Sequence, residues 1–384
     1  MTMLKKKNNE ERMCDIQFNI HKFTSNPKPD DKENIIIISC FSEFGCEIVG
    51  ALYCIPRIIK ENPGAYVIIM GWYGRSYLYK HLADEFWEAK EEFQFLRDKA
   101  LAFHHSSKNL SKLEKSAGQL GRVIGSDKLG RIAVGNSCKQ CNHIWGDNNL
   151  IQRCPQCKST DILKALFADI RYWKQRMTPI PKPSAEKLEE AEKYIKTVKG
   201  CRSVGVIARN RSTYGRNLQP EFYVKLIDRL EKMGYTPIWL GEKQSTLACP
   251  VPHIVDFSRM PESRDLELTL AIISKLEFTV QFWTASTRLS ALVGTPFLVF
   301  ESPDQLFGQG QEAYRLALTT NGRKKLVLSH FLNVFNDNDG AINLLENCIK
   351  EMEQGNWEDV VGMVDERDVV LKLRQQNIHR LAGI

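Results

Sequence analysis

Two stretches of strand–helix alternation, at 34–70 and 203–300, predict an α/β protein with two Rossmann-like lobes. Two cysteine pairs between positions 138 and 157 predict a small insert separating them. At 384 residues the chain is long for a single core, which agrees with two domains. Parallel sheets hold ligands beyond the carboxyl ends of their strands, so polar residues there are the first candidates for a site.

Residues 1–33 are polar and charged, with Pro27, Pro29, Asp30 and Asp31 near their end, and read as a disordered lead-in. Residues 34–117 make the N-terminal α/β lobe. Its first strand, 34–38, is too β-branched for a surface helix. A turn containing Glu43, Gly45 and Glu47 leads to a helix over 48–60, stopped by Asn62, Pro63 and Gly64. Residues 65–70 form the second strand. A helical stretch then runs through Trp87 to Leu96. Trp72, Tyr73, Tyr77 and Tyr79 either stack on a sugar or base or pack the lobe, and packing is the commoner use of such rings. His104 and His105 are adjacent, so their side chains diverge and do not readily share a metal.

Residues 118–165 are turn-rich and carry Cys138-Lys-Gln-Cys141 and Cys154-Pro-Gln-Cys157, with twelve residues between the pairs. Each Cys-x-x-Cys turn brings two thiolates together, and two turns complete a tetrahedron for Zn²⁺. Four cysteine ligands leave no open position, so the metal is expected to be structural in a zinc ribbon. Unligated thiols and a redox pair are the alternatives. Arg122, Lys128, Arg131, Lys139, Lys158 and Lys164 are too dispersed for a nucleic-acid stripe, so a nucleic-acid partner is not favoured.

Residues 166–202 read as a helical linker. The alternating prolines of 178–183 favour extended chain and a hinge near 178–182, and Ser184 caps a charged helix to 196. The C-terminal lobe, 203–384, opens with an apolar strand at 203–208 and a loop bearing Arg209, Arg211, Arg216 and Asn217. Four donors directly after a strand suit a diphosphate. Pro220 starts a helix with Phe222, Leu226, Ile227 and Leu230 on one face. A strand at 235–240 leaves Lys243 near its tip. A helix at 266–276 and a strand at 278–282 follow. Thr284, Ser286 and Thr287 then stand at the entry to a helix over 288–293, whose free N–H groups suit a phosphate. Glu301, just past a strand at 296–300, is placed to accept the hydroxyls of a ribose. Beyond it come a helix at 309–320, a short strand at 325–328 and an amphipathic helix at 340–354. Asp337-Asn-Asp339 mimics a metal-binding triplet, but a turn and helix cap explain it better.

The net charge of +7 fits phosphate-bearing ligands without demanding nucleic acid. No apolar run approaches the ~20 residues that span a bilayer, and the basic N-terminus lacks an apolar core behind it. A cytoplasmic location is expected.

The motifs resemble the GT-B glycosyltransferases, most nearly the heptosyltransferase-like type. The family's strand, Gly-plus-acidic turn and Pro-containing helix look like 35–38, Gly45-Cys-Glu47 and Pro56. Its strand-plus-Arg loop looks like 204–211, and its helix entry before a Gly-Thr-Pro turn looks like 284–296. The resemblance implies an acceptor lobe and a nucleotide-sugar lobe with the crevice between them. It also implies metal-independent transfer of a sugar from a nucleotide-sugar co-substrate to a glycan or other hydroxyl-bearing acceptor. Glu47 or Glu43 would be the general base. Arg209, Arg211, Arg216, Lys243, Thr284, Ser286, Thr287 and Glu301 would bind the donor. A nucleotide-sugar epimerase, or a catalytically silent protein binding nucleotide or nucleic acid through the ribbon, are the competing readings.

Overall fold

Five strands of the first sheet are built from short segments whose order in space differs from their order in the chain. They come from a computed structural model that describes residues 17–41, 47–91, 117–124, 132–138, 144–146, 162–168, 180–197, 202–210, 217–282, 289–290, 292–300 and 338–354. The chain divides into two compact units, Met1–Pro181 and Lys182–Ile384.

In the first unit, β1 (Phe18–Lys22), β2 (Ile35–Cys40), β3 (Tyr66–Gly71), β4 (Glu85–Ala89) and β5 (Arg122–Ile124) form a sheet in the order β1-β4-β3-β2-β5. β2, β3, β4 and β5 run parallel, while β1 pairs antiparallel with β4 at the edge. β2 is buried along its whole length, which is why it reads as an unbroken apolar run. Ile35, Ile37, Phe41, Met70, Trp72 and Trp87 share one core layer. Helix α1 (Leu52–Glu61) follows a π turn, Glu47–Ala51. Pro56 inside α1 lacks an N–H and crowds the carbonyl four residues earlier, so a widened turn ahead of it is physically reasonable. α2 (Ser76–Tyr79) is a single turn.

Three expectations are corrected in this unit. Residues 18–22 form a strand and do not belong to a disordered lead-in. Phe18 lies 6.2 Å from both Phe41 and Trp87, and those contacts, with His21 against Glu88, hold an edge strand whose Asn19, Ile20 and Lys22 face water. Residues 85–89 are a strand, not the start of a helix. Its two glutamates are affordable inside because Tyr66 Oη and Trp87 Nε1 donate to Glu85, and Gly74 N donates to Glu88. Residues 122–124, assigned to the insert, extend the main sheet beside β2.

The insert itself contains β6 (Ile132–Cys138), β7 (Ile144–Gly146) and β8 (Ile162–Ala168), antiparallel in the order β7-β6-β8. Residues 166–168 therefore end a strand instead of opening a helical linker.

The second unit starts with α3 (Ala185–Thr197), where Ser184 Oγ accepts from Lys187 N as its cap. β9 (Ser203–Ile207), α4 (Pro220–Lys232), β10 (Thr236–Leu240), β11 (Val255–Asp256), α5 (Leu266–Lys275), β12 (Thr279–Phe282) and β13 (Phe297–Phe300) follow, each close to its expected place except β11, a two-residue strand that the sequence did not predict. The sheet is parallel throughout, in the order β11-β10-β9-β12-β13. α6 (Asn338–Glu353) packs on α4 through the ion pairs Lys225–Asp339 and Arg229–Glu346. Among the described residues no helix is long and apolar enough to cross a membrane. The expected elements at 309–320 and 325–328 lie outside the described residues, as do His104, His105 and Asp337.

Candidate functional site

Each main sheet changes direction once, and these are the places where a parallel sheet opens a crevice. In the second unit the chain moves outward from β9 to β10 and β11, then returns to the other side of β9 with β12 and β13. The carboxyl ends of β9 and β12 flank that switch point. Arg209 stands two residues past β9 and is only 6% exposed. Its Nη1 donates to Asn217 Oδ1 at 2.9 Å. Its backbone forms a bridge with Thr246, and Asn210 N–H···O Ser245 (2.8 Å) and Leu247 N–H···O Ala208 (3.0 Å) extend the contact. The loop after β10 thus folds back onto the loop after β9.

That return depends on Gly241, whose φ of +131° lies where side chains are rarely tolerated and whose hypothetical Cβ would collide with Thr246 Oγ1. Arg259 holds the loop from the other side, donating to the carbonyls of Lys243 (2.9 Å) and Thr246 (2.8 Å). Trp239 Nε1 donates to Leu247 O at 2.7 Å. Beneath Arg209, burial pushes the Tyr223 hydroxyl far above its ordinary value, with a backbone bond and the charge of Arg209 opposing. The result is a rigid seat with a cation placed on it. Lys243 lies on the same loop with its side chain exposed. Inside the sheet, Thr279, Gln281 and Ser290 form a buried polar cluster, with the two hydroxyls 2.9 Å apart.

In the first unit the switch point lies between β2 and β5, because β3 and β4 lie on the other side of β2. Glu47 opens the π turn there and is fully buried. Its Oε2 is 3.4 Å from Arg75 Nε, in the loop after β3, and both side chains are shut from solvent. Cys40 and Tyr79 complete the cluster. Burial raises the Cys40 thiol well above its usual value; Glu47 adds to this, while the hydrogen bond with Tyr79 opposes it. Burial likewise raises the Tyr79 hydroxyl, helped by Cys40 and Glu47 and opposed by Arg75. Both groups are therefore neutral.

Of the residues singled out in the sequence, Glu47 and Arg209 stand at the two switch points, each in its own unit. Glu43, Arg211, Arg216, Thr284, Ser286, Thr287 and Glu301 lie outside the described residues, as do Cys141, Cys154 and Cys157. Cys138 is the last residue of β6. Among the described residues no group of three or more His, Cys, Asp or Glu could hold a metal ion. Trp72, Tyr77 and Tyr79 are buried, which is the packing reading of these rings. Arg75, Thr246 and Arg259 were missed. Arg75 carries the same signal as Arg209, a cation just past an apolar strand, whereas Thr246 and Arg259 reach the site only through the fold.

The chain matches no protein-family model and no curated protein. Among solved structures it is similar to a glycosyl transferase family 9 structure from Veillonella parvula DSM 2008, with TM-score 0.48 and 10% identity over 83% of this chain and 89% of that one. It is also similar to the E. coli ADP-heptose LPS heptosyltransferase II, with TM-score 0.47 and 10% identity over 82% and 99%. A third is the E. coli heptosyltransferase WaaC with ADP, with TM-score 0.43 and 13% identity over 83% and 99%.

Proposed function

We propose that this chain is a glycosyltransferase that moves a sugar from a nucleotide-sugar donor to an acceptor hydroxyl without a catalytic metal. The observation that carries this reading is Arg209, a buried guanidinium on a braced loop at the switch point of a wholly parallel sheet. In the proposed reaction a base takes the proton of the acceptor hydroxyl, its oxygen bonds to the anomeric carbon, and the bond from that carbon to the diphosphate oxygen breaks. Arg209 and Lys243 offset the charge that develops on the departing diphosphate, with Arg211, Arg216 and the helix entry at Thr284, Ser286 and Thr287 as further donors. Glu301 would hold the ribose. The chain's own cations fill the role that a divalent ion has elsewhere. Asp339 lies in the first turn of α6 and is taken up in an ion pair with Lys225 at 2.8 Å.

The base is one of Glu43 and Glu47. The sealed position of Glu47 against Arg75 favours Glu43, since a general base must come within hydrogen-bond reach of the proton it takes. The first unit would carry the acceptor and the second the donor.

Zn²⁺ at Cys138, Cys141, Cys154 and Cys157 remains part of the reading, as a structural ion. β6 ends on Cys138 and its antiparallel neighbour β7 begins at Ile144, so the first cysteine pair falls between two paired strands, while Cys154 and Cys157 fall in the sequence between β7 and β8. Elemental analysis should find one zinc per chain; freely titratable thiols in all four positions without zinc would remove it.

The function is tested by thermal shift against UDP-glucose, ADP-glucose, GDP-mannose and their nucleoside diphosphates. A native-state ligand at 100 times its Kd adds about 2.7 kcal/mol of stability. Slow hydrolysis of the stabilising nucleotide sugar is the expected companion. Absence of both, with salt-sensitive binding of oligonucleotides instead, would leave the silent binding protein as the better reading.

A further inference from the structure

Glu47 and Arg75 are more than a neutralised pair in the core. Removing two charges from water costs about as much as their attraction returns, and apolar side chains of similar size would serve stability equally well. What such a pair can supply is a fixed geometry. Glu47 opens the π turn that leads into α1, and Arg75 lies in the loop leaving β3. The pair therefore ties together the segments that follow the carboxyl ends of two adjacent parallel strands.

The loop bearing Arg75 is itself held. Gly74, at φ +74°, donates its N–H to Glu88 Oε1 at 3.0 Å. Glu88 lies on β4, and its other oxygen is 3.2 Å from His21 Nε2 on β1. Contacts thus run from the partly exposed edge strand through Glu88 and the Gly74–Arg75 loop to Glu47 at the switch point. Four neighbouring strands take part, in their spatial order β1, β4, β3 and β2.

We propose that Arg75 and Glu88 are positioning residues: Glu88 fixes the loop that carries Arg75, and Arg75 fixes Glu47, so that the π turn Glu47–Ala51 keeps one working geometry. The catalytic part of this rests on the assignment of that turn to the acceptor side. The structural part does not.

The test uses the full chain with Arg75→Met, Arg75→Lys and Glu88→Gln, the last nearly isosteric and so the safer to fold. Amide hydrogen exchange is followed in peptides covering 47–52 and 72–79. Arg75→Met and Glu88→Gln should both speed exchange in 47–52 by ~10-fold or more, although Glu88 bonds to Gly74 and His21, and Arg75→Lys should recover much of the protection. In parallel, the nucleotide sugar hydrolysed by the wild-type chain should be turned over ~10-fold or more slowly by both disruptive variants, with calorimetric affinity for UDP, ADP or GDP unchanged. Exchange in 47–52 within twofold of wild type for both variants would overturn the proposal. A Glu88→Gln effect confined to 72–79 would overturn the role of Glu88. Loosening of 47–52 in a protein whose wild type hydrolyses no nucleotide sugar would uphold the positioning and reject the assigned function, so the two failures are separable.

Discussion

The two switch points share a topology and differ in chemistry. Past β2 the chain places a carboxyl, Glu47, and answers it with Arg75, both sealed from solvent. Past β9 it places a cation, Arg209, whose guanidinium donates to the neutral amide of Asn217 and whose loop is braced by Thr246 and Arg259. The sheet order decides where a site can be. The residues in the loops decide what chemistry that place can do.

The largest effect expected from this contrast is on stability in the first unit. Arg75→Met should cost about 3–5 kcal/mol by urea unfolding, because it strips the facing cation from a buried carboxylate. The double variant Arg75→Met/Glu47→Gln should recover a substantial part of that loss. A loss no greater than that of an ordinary surface substitution would mean the pair is hydrated and the contrast is false.

Next in size is Arg209→Ala, read on ligand and turnover. Loss of this donor should weaken nucleotide binding and raise the barrier to transfer by ~2–4 kcal/mol, the scale of a lost oxyanion donor. Calorimetry with the nucleoside diphosphate selected by thermal shift, together with turnover of its sugar, measures it. Normal nucleotide affinity in Arg209→Ala would show that the donor site has been misplaced. Comparing Glu43→Gln with Glu47→Gln then sharpens the assignment of the base. Glu43→Gln should lower turnover by ~10²-fold or more with affinity for nucleotide unchanged.

How much of this was legible depended on what each segment buries. β2, β3, β9, β10, β12 and β13 are buried on both faces, and their continuous apolar runs read directly as strands. β4, with the sequence Glu-Phe-Trp-Glu-Ala, looked helical because its two acids find their donors only in the folded sheet. β1 was missed because an edge strand with solvent on one side has a weak pattern, and its anchor Phe18 meets residues far away in sequence. The same division runs through the site. Arg209 was legible as a cation following a strand. Its brace was not, since the turn at Gly241 and the reach of Arg259 are properties of a fold that brings residues 209, 246 and 259 together. Glu47 was legible as an acidic residue in a strand–helix turn, but its burial against Arg75 was not, because nothing local reveals which cation faces it.

The smallest expected effect checks the premise that burial, rather than charge itself, sets the first unit's pair apart. Arg202 and Glu353 form a second Arg–Glu pair, 2.6 Å apart, with about a third of each side chain exposed. Tyr235 Oη also donates to Glu353 at 2.9 Å. Burial raises the Glu353 carboxyl, but hydrogen bonds from Arg202 and Tyr235 and the charges of Arg202 and Lys350 outweigh it, so its value lies below the ordinary one. A depressed folded-state value means that the contribution is complete above the unfolded carboxylate's value, near ~4.3. It is lost as the pH falls through the lower, folded value. Water screens this pair, so Glu353→Gln should cost under ~1 kcal/mol at pH 7, and salt should shrink the cost further. Urea titrations of wild type and variant at pH 7 and at successively lower pH should show the gap closing only below the usual carboxylate range. If Glu353→Gln instead cost as much as Arg75→Met, exposure would not be the variable that matters. The sealing of Glu47 would then be no guide to the role of its switch point.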